Sequence, residues 1–282
     1  KGVLNSRHKA LLIVSFYFKF GYIYSLTINT IQMKKLIVLL VLFSIGVQGQ
    51  VWDREYWVSF TYKAAKGQEA AFEKAVKEKT KKFNQTPENA IFTFEIMNGE
   101  NTGTLWRFVP RKTRAFFDQD SSKELNYWSK NVGPYVGEES GQVVWIRYLN
   151  ASHNFDNPNR MPKKYYRVTT YFVKPGQTDH FMLLQERLAK LSTAYGFTGE
   201  RALFRAESGD NPRKFMSVLG YDAHEGDMKW TQRPEGKMVP EMYDDMFGDG
   251  AWETDFQAAN EALETWQLRE RIMFRPDLSF GM

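Results

Sequence analysis

The sequence YWVSFTYKAAKGQ at residues 56–68 decides the fold, because a related stretch, YYRVTTYFVKPGQ, recurs at residues 165–177. The two stretches lie 109 positions apart (165 − 56 = 109), and five of their positions are identical. The identical pairs are Tyr56 and Tyr165, Thr61 and Thr170, Tyr62 and Tyr171, Gly67 and Gly176, and Gln68 and Gln177. Each stretch begins with the aromatic and β-branched residues of a strand and ends in Gly-Gln before a helical pattern. The chain is therefore predicted to contain two similar units, with a place for a ligand at the seam between them.

The order of strands and helices is the same in both units. Residues 50–150 are predicted to form strand, helix, strand, strand, helix and strand, and residues 164–282 repeat that order. Residues 151–163 carry Asn, Asp, Ser and Pro with few large apolar side chains, which is typical of a linker. Residues 224–249 are an insertion in the second unit, and the sequence leaves open whether it is a lid or a plain solvated loop.

The first 49 residues differ in composition from the rest of the chain. Met33-Lys34-Lys35, the apolar run at 36–47 and the small residue Gly49 have the layout of a signal peptide at residues 33–49. Residues 1–32 are interpreted as upstream sequence that is not native to the protein. The alternative is a membrane hairpin in which residues 10–31 form one span and residues 36–47 form part of another. The run at 36–47 is, however, too short to span a bilayer. The signal peptide predicts export to a bacterial periplasm or to the outside of the cell.

Charge and cysteine content exclude several classes of function. The formal net charge of +5 comes from 38 basic and 33 acidic residues, but six of the basic ones lie within residues 1–49. The remainder has 32 basic residues (38 − 6 = 32) and is near neutral, so neither a nucleic-acid partner nor a membrane partner after signal cleavage is predicted. The absence of cysteine excludes disulfides, thiolate nucleophiles and zinc–thiolate sites.

The order βαββαβ is that of the ferredoxin-like split unit. Two such units in tandem, with the repeat quoted above, resemble the dimeric α/β-barrel superfamily in its fused form. The resemblance implies an α+β fold in which two antiparallel sheets face each other, with helices outside and a cavity between the sheets. It implies no particular reaction, because one fold hosts many chemistries.

Alternation along the predicted strands separates an apolar face from a face that carries arginines. Phe92, Phe94 and Ile96 represent the apolar face, which is expected to pack under the helices. The opposite face is expected to line or rim the cavity. Its five arginines are Arg107, Arg147, Arg167, Arg205 and Arg271.

Sheltered arginines need partners, because an unpaired buried charge is very costly. Glu95 lies on the same face and cannot neutralise all five, so an anionic ligand bound through bidentate hydrogen bonds is predicted. Trp145, Tyr165 and Tyr171 are expected to supply ring faces for stacking. The alternative is that these faces are solvated and that the arginines pair with acidic residues of the loops.

No motif assigns a reaction or a cofactor. The sequence lacks a Gly-x-Ser-x-Gly elbow, a His-Glu metal helix and a phosphate loop, and the acids around Asp244 lack the spacing of a calcium loop. Haem-binding members of the resembled superfamily use an axial histidine, and His180 would take that role here. Its counterpart in the first unit is Ala71, and a surface histidine is the simpler interpretation, so neither a cofactor nor a metal is predicted. The Asn, Trp and His combination of the cofactor-free monooxygenases is not matched in spacing.

The sequence therefore predicts an exported protein that binds a small anionic or aromatic compound in a cavity between two sheets. The alternative is an α/β-barrel oxidoreductase or isomerase, either cofactor-free and monooxygenase-like or linked to haem. The expected partner is a small molecule, and the protein is expected to be a monomer or a homodimer.

Overall fold

The computed structural model of the chain describes residues 54–156, 161–226, 229–264 and 268–281. The segments interpreted as upstream sequence and as a signal peptide, 1–32 and 33–49, lie outside the described residues, so export stays a prediction. Among the residues that are described, no helix has both the length and the apolar character needed to cross a membrane.

The described residues form nine strands and five α-helices. The strands are β1 (Tyr56–Ala64), β2 (Phe92–Ile96), β3 (Leu105–Lys112), β4 (Val136–Glu139), β5 (Val143–His153), β6 (Tyr165–Phe172), β7 (Glu200–Ser208), β8 (Lys214–Tyr221) and β9 (Leu268–Phe274). The helices are α1 (Glu69–Phe83), α2 (Ser122–Asn131), α3 (Thr178–Ala194), α4 (Val239–Phe247) and α5 (Ala251–Glu261). The short strand β4 was absent from the sequence-based assignment, and helix α4 lies in the predicted insertion.

Eight of the strands close into a barrel. Neighbouring strands are antiparallel in the order β3-β2-β9-β6-β8-β7-β5-β1, and β1 also pairs with β3, which closes the ring. Strand β4 pairs with β1 outside this ring. The order is β5-β1-β3-β2 in the first half and β9-β6-β8-β7 in the second half, so the same arrangement occurs twice. The predicted α+β barrel is confirmed.

Both faces of the strands are buried. The barrel interior holds one apolar cluster, with members that include Trp57, Phe94, Ile96, Trp106, Phe108, Trp145, Tyr166, Val168, Phe204, Met216, Val218 and Ile272. Outside the barrel, Phe72 and Val76 of α1 pack on Leu105 of β3. Phe181 of α3 packs on the outer face of the second half, where its ring lies 5.0 Å from that of Phe215.

The two strand faces are the reverse of the sequence-based assignment on most strands, and β5 is an exception because Trp145 lies in the interior cluster, as predicted. Phe94, predicted to lie under the helices, faces the barrel interior. Arg107, predicted to face the cavity, is buried between β3 and α1, where Nε donates to Thr93 Oγ1 (3.1 Å) and a terminal nitrogen donates to Thr80 Oγ1 (2.7 Å). In a closed barrel, helices cover one face and the opposite wall covers the other, so alternation alone does not distinguish inside from outside.

Candidate functional site

A cavity of about 360 Å³ lies inside the barrel, near the ends of β3 and β8 and the starts of β2, β6 and β7. Eight aromatic rings line it: Trp57, Phe92, Phe94, Phe108, Phe155, Tyr166, Phe204 and Phe280. Small-molecule sites commonly enclose roughly 300–1,000 Å³ and are mostly apolar with a few placed polar groups. The volume is at the lower end of that range, so the space suits a compact ring compound rather than a macrocycle.

The segment predicted as the linker forms part of the cavity wall. Asn154, with φ at 55°, donates from Nδ2 to the carbonyl oxygens of Phe197 and Gly199, each at 3.2 Å. The next side chain, Phe155, lies over the cavity with its ring 5.6 Å from that of Trp57. Asn154, Phe155, Met161 and Pro162 of this segment therefore line the cavity.

Two basic side chains at the end of β3 line the cavity. Arg111 has φ at 54°, at a register shift between β1 and β3, and its guanidinium donates to the carbonyl oxygens of Phe155 and Asp156. Lys112 donates from Nζ to the carbonyl oxygen of Glu88. Burial lowers the pKa of Lys112, and the negative charge of Glu88 partly opposes that shift.

A buried hydrogen bond inside the cavity joins two strands across a third. The hydroxyl of Tyr166 on β6 donates to Glu200 Oε2 on β7 at 2.5 Å, and both residues are 4% exposed. Gly220 of β8 lies between them and pairs with both. A Cβ at Gly220 would lie 2.5 Å from Tyr166 Cε1, so the missing side chain lets the ring cross β8 and reach the carboxylate.

Sequence reasoning missed this pair, although a signal for it was present. A glycine inside a strand pattern often marks a close approach of another group to the backbone. Gly220 follows Val218 and Leu219 in such a pattern. Nothing local to Tyr166 or Glu200 indicates their contact, because 34 positions separate them in the sequence.

The nine side chains predicted to bind a ligand are absent from the cavity lining in the described part of the chain. They are Arg107, Arg147, Arg167, Arg205, Arg271, Glu95, Trp145, Tyr165 and Tyr171. Most of them lie on the outer face of the barrel, so they do not line this cavity, and their binding of a ligand stays a prediction.

Of these nine side chains, Trp145 and Arg147 are the two that lie in the barrel interior. Trp145 is 1% exposed and donates from Nε1 to Ser59 Oγ at 2.8 Å. Arg147 donates to both carboxylate oxygens of Glu55 (2.8 and 3.1 Å) and to Asp156 Oδ1 (2.6 Å). Arg147 therefore pairs with acidic residues, as the alternative states, but it is buried and does not lie on a solvated face.

The predicted arginines of the second half lie on the outer face of the barrel. Arg205 donates from Nε to the carbonyl oxygen of Pro212 at 2.7 Å. Arg167 and Arg271 are directly opposite each other on β6 and β9, where Arg271 is exposed. These three are not brought together at one site.

Glu95 and the two tyrosines also lie outside the barrel interior. Glu95 accepts a hydrogen bond from Arg275 at 3.0 Å. Tyr165 stacks on His224 with ring centroids 4.4 Å apart, and Tyr171 packs against the α3 residue Phe181 at 5.1 Å. All three therefore have partners that hold them away from the cavity.

Arg107 belongs to a separate group of buried charges beneath α1. Burial lowers the pKa of Arg107 to about 10. Lys79 donates to Asn84 Oδ1 at 3.0 Å and to the carboxylate of Glu124. Burial lowers the pKa of Lys79 to about 8, the positive charge of Arg107 lowers it further, and Glu124 opposes the shift. Burial also raises the pKa of Tyr62 to about 12.

The described histidines do not fit a haem in the cavity. His180 is exposed in the first turn of α3, and His224 is exposed after β8. His153 is buried, with its ring nitrogens 3.0 Å from Thr193 Oγ1 and 2.9 Å from the carbonyl oxygen of Phe197. None of the three lines the cavity, so no imidazole is placed to hold iron there. A group of three or more His, Cys, Asp and Glu suited to a metal ion is likewise absent from the described residues.

Comparison with known proteins bears on the fold. No protein-family model and no curated protein matches the sequence. Among solved structures, a candidate monooxygenase from Lactobacillus acidophilus NCFM matches with a TM-score of 0.53 and 7% identity, over 81% of this chain and 96% of that chain. An anthrone oxidase-like protein matches with a TM-score of 0.48 and 13% identity, over 82% and 95% of the two chains. A candidate chlorite dismutase matches with a TM-score of 0.48 and 8% identity, over 79% and 96%. At such identities a likeness concerns the fold alone, and the two weaker matches support no argument.

Proposed function

Because the chain has the dimeric α/β-barrel fold and encloses a cavity, we propose that it binds one small aromatic compound there. The supporting observation is the set of eight aromatic rings around about 360 Å³ of space. Burying apolar surface contributes about 25 cal/mol per Å², and ring pairs contribute further when they stack edge to face or offset. The cavity is lined by residues of a single chain, so a second copy is not needed to form it.

The positions of the charged side chains restrict where an anionic group of the ligand could bind. Arg111 and Lys112 both line the cavity at the end of β3. An acidic substituent of the ligand is therefore proposed to lie next to these two side chains, with its ring among the aromatic side chains.

The proposal is tested with a variant whose larger side chain fills the cavity without changing the fold. Val218 lines the cavity, so Val218→Phe places a protein ring where the ligand ring would lie. Leu149→Phe is the matched control, because Leu149 is 52% exposed on β5. A ligand at 100 times its Kd raises the free energy of unfolding by about 2.7 kcal/mol, which thermal shift measurements detect. We expect ring compounds to stabilise the parent and Leu149→Phe but not Val218→Phe; equal stabilisation of all three would place the ligand elsewhere.

A second candidate is an oxidoreductase or isomerase that acts on the same bound compound without haem. The observation in its favour is Glu200, a buried carboxylate in the cavity wall, because such a group can serve as a general base for a bound ligand. The monooxygenase name of one structure with the same fold agrees with this class. Oxygen uptake and product formation with a panel of phenols would test it, with Glu200→Gln as the inactive variant. A parent that consumes no oxygen and converts no compound in the panel is a binding protein.

Two further features are proposed, each from a single observation. The repeated strand orders β5-β1-β3-β2 and β9-β6-β8-β7 support the interpretation of the two halves as tandem ferredoxin-like units. Export is proposed from the sequence pattern at 33–49 alone. Sequencing the N-terminus of protein recovered from outside the cytoplasm tests export, with Gln50 expected as the first residue.

A further inference from the structure

We propose that Lys112 binds an aromatic aldehyde in the cavity by forming a Schiff base between its Nζ and the carbonyl carbon of the ligand. This inference rests on the proposed binding of an aromatic compound in the cavity, and it names the reactive group that the compound carries. It adds one reversible covalent bond to the contacts that the aromatic side chains make.

The amine of Lys112 lies at the wall of the cavity. Lys112 is the last residue of β3, it lines the cavity, and it is 8% exposed. Its Nζ donates to the carbonyl oxygen of Glu88, a residue that lines the cavity as well. The same nitrogen lies 5.2 Å from the centre of the Phe116 ring. These contacts hold the flexible end of the side chain at the cavity instead of letting it extend into solvent.

The surroundings of this amine favour its neutral, nucleophilic form. Burial lowers the pKa of Lys112, because the ammonium group loses solvation, and the charge of Glu88 opposes the shift. The oxygen that accepts the hydrogen bond belongs to a backbone carbonyl, which lacks the full negative charge of a carboxylate. A neutral amine that donates one N–H there keeps its lone pair for attack. Lysines desolvated in this way are the ones that form Schiff bases with carbonyl compounds.

The reaction needs no component besides the protein and the ligand. The lone pair of Nζ attacks the carbonyl carbon, and a proton moves from nitrogen to the former carbonyl oxygen. The second nitrogen proton and that hydroxyl group then leave as one water molecule, and the C=N bond forms. Nothing is oxidised or reduced, and the addition of water to the C=N bond releases the aldehyde again.

The cavity should direct this reaction to Lys112. A bound ring brings its aldehyde against the amine, which replaces a chance encounter in solution by a reaction within one complex. Lys79 is the informative comparison, because it is also buried and has a lowered pKa but is not among the residues that line the cavity. An acidic substituent on the same ring remains compatible, because Arg111 lines the cavity beside Lys112.

Reductive trapping measures the formation of the Schiff base. The purified protein is incubated at pH 7 with 2-naphthaldehyde and sodium cyanoborohydride, which converts the C=N bond into a stable secondary amine, and peptide mass mapping locates the naphthylmethyl group. We expect Lys112 to be labelled about 10-fold or more faster than Lys79 and the partly exposed Lys63. 2-Naphthalenemethanol, which has the same ring system but no carbonyl, should slow the labelling of Lys112 alone.

Two variants complete the experiment. Lys112→Arg keeps the positive charge, and it should abolish the fast labelling because a guanidinium does not form a Schiff base. Lys63→Arg on the neighbouring strand β1 is the matched control and should keep the parent's fast labelling.

The outcomes separate this inference from the proposed function. Equal labelling of the three lysines, or labelling of Lys112 that 2-naphthalenemethanol does not slow, would overturn the Schiff base. If 2-naphthalenemethanol nevertheless raises the thermal midpoint of the protein, the proposed function stands. If it has no effect on that midpoint and no lysine is labelled rapidly, both are overturned. The mapping is made on the parent, so it decides the matter even if Lys112→Arg does not fold.

Discussion

Replacing the buried Lys79 of α1 should change how the stability of the protein depends on pH. Lys79 is 4% exposed, and burial lowers its pKa from the ordinary value of 10.5 to about 8. The nearby charge of Arg107 lowers the pKa as well, whereas the charge and the hydrogen bond of Glu124 raise it. Between pH 8 and pH 10 the unfolded chain therefore binds a proton at this lysine that the folded chain does not hold. The free energy of unfolding must then rise with pH across that range.

The size of the rise follows from the shift. One pKa unit corresponds to 1.36 kcal/mol, so Lys79 alone should make the protein about 3 kcal/mol more stable at pH 10 than at pH 7. Arg107, with a pKa lowered to about 10, contributes in the same direction only above that pH. Tyr62, with a pKa raised to about 12, acts in the opposite direction and also only above pH 10. Burial also lowers the pKa of Lys112, which acts in the same direction, so the contribution of Lys79 is the difference between the parent and a variant without this lysine.

Urea unfolding at pH 7, 8, 9 and 10 measures this dependence. Lys79→Met keeps an unbranched side chain of similar length and removes the charge, so its free energy of unfolding should rise less than that of the parent over the interval. Lys81→Met is the matched control, because Lys81 is exposed on the same helix, and it should keep the parent's rise. A parent with constant stability from pH 7 to pH 10, or an equal rise in Lys79→Met, would refute the reasoning.

Packing and ion pairing in the barrel make two further changes testable. Gly220→Ala should lower the free energy of unfolding by about 1–3 kcal/mol, because its Cβ would lie 2.5 Å from the Tyr166 ring; an unchanged urea midpoint would contradict this packing. Arg275→Ala should cost about 1 kcal/mol at pH 7, because Arg275 holds the pKa of Asp277 below its ordinary value through a partly exposed pair. That cost should shrink below about pH 4, where the unfolded carboxyl also takes up its proton, and equal costs at pH 7 and pH 3 would contradict the pairing.

The repeat was sufficient to predict the barrel because residues that it shares are required by the backbone conformation of equivalent turns. Gly67 and Gly176 occupy equivalent turns before α1 and α3, with φ at 77° and 75°. Residues with a side chain rarely adopt such a positive φ, so both turns require glycine. The two glycines lie at the same distance from the first strand of their halves. The element order follows from local patterns of this kind, which is why a single sequence was enough to obtain it.

The location of the site could not be obtained in the same way. Phe94 and Arg107 are 7% and 1% exposed, so burial on both faces of the strands makes polarity a poor guide to the cavity. Arg107 is stable beneath α1 because hydroxyls 14 and 27 positions away, on Thr93 and Thr80, accept its hydrogen bonds. Such contacts arise only from the tertiary fold, and no pattern within one strand indicates them.

Comparison of the two halves shows how the polar group of the cavity arises. Trp57 and Tyr166 occupy equivalent positions of the repeat (166 − 57 = 109), and both side chains line the cavity. Trp57 donates from Nε1 to Glu55 at 2.6 Å, and that carboxylate also forms an ion pair with Arg147 outside the cavity lining. Tyr166 donates instead to Glu200, which is part of the cavity wall. The repeated architecture therefore builds the apolar space, and its two halves differ in the polar contact that the ring at this position makes.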